Sequence, residues 1–236
     1  MTPLQKNTRI AGIFYLLVVI TGPFILIYVP GKLFVAGNAA ATAANILANQ
    51  PLFRAYIVVG FLSELFFIAT VLALYRLLKD VGHHLAVLMV ILVLVDAPLA
   101  FLGTANQVAT LSLVQGSDLL AAFDKPQRDA LATLFINIDR QGIPASELFW
   151  GLWLLPLATL VYRSGFLPRF LGVWLFANGF AYILTSLSAI LLPEYLKTIS
   201  TITFPVLLGE VAFTLWLLIA GAKEKPIATE ASGPGQ

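Results

Sequence analysis

The feature that most constrains this chain is the stretch from Phe53 to Leu78, FRAYIVVGFLSELFFIATVLALYRLL, in which Glu64 is the one charged side chain between Ala55 and Tyr75. About 20 consecutive apolar residues suffice for one helical crossing of a bilayer. A carboxyl group at the midpoint of such a run is expensive to place there, which makes it a candidate for function. The same theme recurs along the chain. Apolar spans are read at about 10–29, 53–78, 84–103, 144–163, 170–192 and 199–222, with Asp96 near the middle of the third and Glu210 at the centre of the sixth. The fold class expected is therefore all-α: a polytopic membrane helical bundle of six transmembrane helices, plus a short amphipathic helix in the long outer loop. Residues 1–222 are read as a single transmembrane domain and 223–236 as a disordered tail.

Composition agrees. Of 236 residues, 59% are hydrophobic and 11% charged, against about 25% charged in a typical soluble domain. A net charge of +2 gives a nucleic-acid partner no electrostatic support. The chain has no cysteine, so disulfides, thiolate metal sites and a cysteine nucleophile are excluded. The first apolar run is longer than the core of a signal peptide and no small-residue cleavage site follows it, so it reads as a retained span.

Local signals set the expected boundaries. Gly22-Pro23 should kink the outer end of the first span, because proline removes a backbone donor. Asn38 to Asn49 is Ala-rich and reads as a short interfacial helix. Pro98 leaves the carbonyl of Leu94 without its helical partner, and the polar residues Thr104, Asn106 and Gln107 either extend that helix or line a cavity. Between Gly116 and Gln141, Leu131, Leu134, Phe135 and Ile138 recur at helical spacing, giving the amphipathic helix. A fourth span is expected to begin near Pro144, with Trp150 and Trp153 in an interfacial aromatic belt. Arg76, Lys79, Arg163 and Arg169 flank short loops on the same side as the N terminus, which places both termini in the cytoplasm by the positive-inside rule.

A short internal repeat is also visible. Arg9-x-x-Gly12 and Arg169-x-x-Gly172 open the first and fifth spans, and FLSELFF (Phe61–Phe67) aligns with LLGEVAF (Leu207–Phe213), matching Glu64 to Glu210.

The segments RIAGIFYLLVVITGPF (Arg9–Phe24) and GLWLLPLATLVYRSGFLPRFLGVWLFANGFAYIL (Gly151–Leu184), with their Gly-Leu-Trp-Leu-Leu-Pro and Ser-Gly-Phe-Leu-Pro-Arg-x-x-Gly marks, resemble an uncharacterised family of bacterial six-helix membrane proteins, a domain of unknown function. The resemblance covers nearly the whole chain. It implies a multi-pass protein of the bacterial plasma membrane and six spans. It brings no activity and no functional residues.

The candidate ligand- or proton-binding residues are Glu64, Asp96, Asn178 and Glu210, all near mid-span and with no Lys, Arg or His at their depth. Three states are open to such acids: protonated and hydrogen-bonded, sharing a cation, or lining a wet cavity. Oxygen-only ligands would suit a hard cation. An alternative outer site comprises Asp139, Arg140 and Glu147. His83 and His84 are adjacent, so they do not share a helix face and read as an interfacial cap. No motif names a catalytic residue, a cofactor or a metal.

The functional reading is a small transporter or an ion- or lipid-binding protein with a midplane carboxylate site. The alternatives are an intramembrane hydrolase with an outer acidic site, or a structural or sensory scaffold, in which such acids only join helices. The partners expected are the lipid bilayer and a small cation, proton or lipid ligand, with a homo-oligomer open.

Overall fold

The computed structural model describes residues 2–116 and 120–222; the tail expected at 223–236 lies outside the described residues. Eight α-helices account for most of it. The first, α1 (Pro3–Pro23), starts at a capping box in which the Thr2 hydroxyl accepts from the Gln5 backbone and the Gln5 side chain from that of Thr2. After Pro23 the chain does not break. It loosens into a π-helical stretch, Phe24–Tyr28, and resumes as α2 (Val29–Leu33), the local unwinding that follows when a proline disturbs the bonding ladder. The interfacial helix expected at Asn38–Asn49 is α3 (Ala39–Ala48), capped by the Asn38 side chain, which accepts from Ala41 N at 2.9 Å. The remaining helices are α4 (Gln50–Leu78), α5 (His83–Gln115), α6 (Lys125–Ser164), α7 (Arg169–Leu191) and α8 (Leu196–Ile219).

Six of the helical spans are long and apolar enough to cross a membrane. No more than 44% of the most apolar window of any of them is buried within the bundle. The remaining apolar surface, including Ile20, Leu102, Ile190, Ile202 and Ile219, faces outward. A water-soluble bundle would be polar there, whereas a lipid-facing one has no need to be.

Several helices run beyond the expected spans, and α1 begins at Pro3, ahead of the expected Ile10. A helix is present after Pro126, but it packs through Leu131, Ala132, Phe135 and Ile136 and leaves Leu134 and Ile138 of the expected apolar face exposed. It runs unbroken into the fourth span as the 40-residue α6, passing through Pro144 and Pro156. Prolines inside membrane helices are tolerated in a packed interior, and the Ser186 hydroxyl of α7 donates to the Pro144 carbonyl at 2.6 Å, tying α6 to α7 at this point. The polar run of α5 takes the first of the two alternatives left open for it: the helix continues past Gly103 to Gln115. At 1.5 Å per residue α6 is about 60 Å long and α5 about 50 Å, against a hydrocarbon layer of about 30 Å. The surplus projects from one side. There it packs with α2, α3 and the start of α4 around an apolar cluster that includes Val29, Leu33, Ile46, Phe53, Leu111 and Ile136.

The six spanning segments form a closed ring in which each packs on the next in chain order, α1, α4, α5, α6, α7 and α8, and α8 closes on α1. Aromatic rings from four of them fill the middle. Trp153, 1% exposed, lies 5.1 Å from Phe67 and 5.9 Å from Tyr15 between ring centroids, and Tyr15 lies 6.1 Å from Phe213. Trp153 is thus a core residue and not part of an interfacial belt. Its position one turn beyond Trp150 on a helix that starts far outside the membrane carries it to the centre of the bundle.

Helices α6 and α7 approach most closely. A Cβ on Gly151 would lie 2.6 Å from the Gly179 carbonyl oxygen, and one on Gly172 2.9 Å from the Ala158 carbonyl oxygen. Gly151 and Ala158 are seven residues apart on one helix, Gly172 and Gly179 seven apart on the other, so small residues meet at two successive points of an antiparallel seam.

Candidate functional site

Four helices bring carboxyl groups into the ring's interior. Glu64 of α4 and Asp96 of α5 face one another closely enough for their charges to interact, and both are buried, at 7% and 1% exposure. Asp96 is held from α6: the Trp150 indole N–H donates to Oδ2 at 3.0 Å, and the Ser146 hydroxyl also bonds the carboxyl group. Glu64 has no such support. Its Oε1 and the Oδ1 of Asp96 are buried with no protein partner. A polar atom left in that condition is costly in a low-dielectric interior.

Glu210 of α8 is clamped instead. The Tyr15 hydroxyl of α1 donates to its Oε1, and the Tyr182 hydroxyl of α7 bonds the same carboxyl group. Tyr182 in turn lies edge-on to Trp150, with ring centroids 5.9 Å apart. A continuous arc therefore runs from Glu64 through Asp96, Trp150, Tyr182 and Glu210 to Tyr15, and every spanning helix contributes to it. Asn178, fully buried on α7, points its amide to the Leu207 carbonyl of α8 at 3.3 Å, leaving its own Oδ1 unpartnered.

The arc has a floor. Phe67, Trp153 and Phe213 each follow an arc residue (Glu64, Trp150, Glu210) by three positions on helices that run in the same direction. They therefore lie about 4.5 Å deeper, toward the end marked by Arg76 and Arg163. In the other direction lies a second polar layer. Asp139 of α6 accepts from Gln107 Nε2 at 3.0 Å and from the Tyr56 hydroxyl at 3.4 Å. A Cβ on Gly103 would come 2.5 Å from Asp139 Oδ1, so glycine at that position of α5 leaves room for the carboxyl group. Asp139 is eleven residues from Trp150, and Gln107 eleven from Asp96. Both spacings put the layers about 16 Å apart, roughly half the hydrocarbon thickness.

Of the residues proposed for the alternative outer site, Asp139 and Arg140 interact electrostatically. Glu147, two turns further along α6, faces Tyr182 instead and belongs with the deeper layer. Among the described residues no three His, Asp or Glu side chains gather as a metal site.

Trp150, Tyr15 and Tyr182 do not stand out in the sequence as polar partners. A signal points to Tyr182 alone: Asn178, Tyr182, Thr185 and Ser186 form a stripe along α7 at helical spacing, as Asp96, Gly103, Gln107 and Thr110 do along α5, whereas nothing comparable marks Trp150 of α6 or Tyr15 of α1. The internal repeat does not extend to the surroundings of its residues. Glu64 faces a carboxylate whereas Glu210 meets two tyrosines, and Gly12 packs on α8 whereas Gly172 packs on α6.

An apolar exterior, six spanning helices and acids turned inward define a multi-pass integral membrane protein. The chain belongs to the family described as a domain of unknown function, DUF4386, whose pattern matches residues 10–221. It is similar to an uncharacterized protein of Archaeoglobus fulgidus, with 30% identity over 169 residues that cover 71% of this chain and 85% of that one. No solved structure matches the chain.

Proposed function

We propose that this is a small transporter or ion-binding protein of the plasma membrane, both termini cytoplasmic, that takes up a proton or a small hard cation at the Glu64–Asp96 pair. The observation that carries this reading is the pair itself: two buried carboxyl groups that face one another, each with an oxygen that no protein group satisfies. Like charges repel strongly at low dielectric, so a shared proton or a cation between them relieves both the repulsion and the unmet bonding. The oxygen-only donor set favours a hard cation over zinc or copper. Glu210 is assigned a supporting role, because two tyrosines already satisfy it. The aromatic floor of Phe67, Trp153 and Phe213 closes the bundle toward the basic loops. Access therefore runs from the opposite side, past Asp139, Gln107 and Tyr56.

The test is ion movement in proteoliposomes carrying the purified chain, read with an internal pH dye under imposed proton, Na⁺ and K⁺ gradients. Wild type should move or exchange one of these ions, and Glu64→Gln should abolish it while the protein keeps its helical content and thermal transition. No movement and no ion-dependent stabilisation in the wild type would overturn the reading and leave a scaffold.

A further inference from the structure

On its lipid side, the α6–α7 hairpin carries a groove of about 560 Å³ whose lining includes Ala158, Tyr162 and Arg163 of α6 and Gly172, Ala177 and Phe180 of α7. That volume is within the range of small-molecule sites, roughly 300–1,000 Å³. The groove exists because Ala158 and Gly172 are small where the two helices meet, while Tyr162 and Phe180 stand up as walls. From Gly172 to Phe180 it extends about 12 Å along the helix axis, close to the roughly 15 Å that separates a headgroup from the bilayer centre.

Its loop end is cationic. Arg163 lines the groove, and the Arg169 guanidinium lies 5.5 Å from the centroid of the Tyr162 ring. The ion pair found among the described residues joins Lys125 to Asp129, so neither arginine is neutralised by a carboxylate there. Guanidinium groups match phosphate oxygens in a planar, two-pronged geometry. A zwitterionic headgroup carries its own ammonium, which competes with the arginines for its phosphate. A headgroup with net negative charge does not.

We propose that this groove holds one anionic phospholipid, with its phosphate between Arg163 and Arg169 and an acyl chain lying along Gly172 to Phe180. The assignment is independent of any ion carried at the Glu64–Asp96 pair.

The experiment is native mass spectrometry of the full chain released from nanodiscs containing equal parts phosphatidylglycerol and phosphatidylcholine. Wild type should retain phosphatidylglycerol preferentially. Near an anionic headgroup each arginine is worth on the order of fivefold in affinity. The double variant Arg163→Gln/Arg169→Gln should therefore lower retention roughly 25-fold if the two act independently. Both side chains are exposed, so folding is not at stake. A second variant, Ala177→Phe, fills the groove from an exposed position and should displace the lipid with both arginines intact. Equal retention of the two lipids by wild type would overturn the proposal. So would retention by the arginine variant at the wild-type level, or retention of the lipid by Ala177→Phe.

Discussion

Trp150 donates its indole N–H to Asp96 at 3.0 Å and lies edge-on to Tyr182, so one side chain of α6 joins the acid of α5 to the tyrosine that holds Glu210. Trp150→Phe keeps an aromatic ring in place but removes the donor together with the second ring of the indole. Hydrogen bonds in membrane bundles are worth about 0.6 kcal/mol on average and up to about 1.7, and a buried carboxylate losing a donor belongs at the upper end. Trp150→Phe should therefore lower stability by about 1–2 kcal/mol, measured as a fall in the thermal transition in detergent. An unchanged transition would mean that Ser146 alone holds Asp96.

Glu64 should behave in the opposite way. It has a buried oxygen with no partner and a like charge opposite, so neutralising it removes an unfavourable interaction. Glu64→Gln is expected to leave the thermal transition unchanged or raise it slightly, while ion uptake is lost. A residue retained only to join helices would lose stability when altered. The sign of the stability change, read beside the flux assay, therefore separates a working acid from a structural one.

The clamp on Glu210 makes a third case. Tyr15 and Tyr182 both bond this carboxyl group, from α1 and α7, so α8 is tied to both of its neighbours in the ring. A double-mutant cycle with Tyr15→Phe and Glu210→Gln should give a coupling energy of about 1 kcal/mol, because residues that share a bond do not act additively. Tyr182→Phe should add to the loss from Tyr15→Phe. Coupling near zero would mean the Tyr15–Glu210 bond contributes nothing to stability.

The six crossings are legible in the sequence because bilayer thickness imposes a run length, and Glu64, Asp96 and Glu210 each interrupt such a run near its middle. Not every helix end is. Pro144 reads as a start signal, yet the helix passes through it, since a packed membrane interior can satisfy what proline frees. The partners of the acids are hidden for a related reason. Tryptophan is amphipathic, and a linear reading assigns Trp150 and Trp153 to the membrane–water interface, whereas Trp153 is a core residue and Trp150 bonds Asp96 inside the ring. Matching Glu64 to Glu210 by local sequence fails for their surroundings, because each acid's neighbours come from other helices. Gly151 and Gly172, visible in the sequence only as parts of motifs, acquire a physical role once α6 and α7 are placed against each other.

That role gives the last prediction. A methyl group on Gly151 would lie 2.6 Å from both the Gly179 carbonyl oxygen and Ile183 Cγ1, and one on Gly172 2.9 Å from both the Ala158 carbonyl oxygen and Tyr162 N. Most of these neighbours are backbone, which cannot swing aside, so either alanine substitution must push the helices apart along the seam. Overpacking of this kind costs about 1–3 kcal/mol, and more for a larger side chain. Gly142 lies on the same helix as Gly151, and a methyl group there would meet nothing within 4 Å. At that position alanine should be neutral or stabilising by up to about 1 kcal/mol, the difference in helix propensity. Thermal unfolding of Gly151→Ala, Gly172→Ala and Gly142→Ala should therefore split two against one. If all three shift alike, glycine acts through helix propensity alone and the close approach of α6 to α7 contributes nothing to stability.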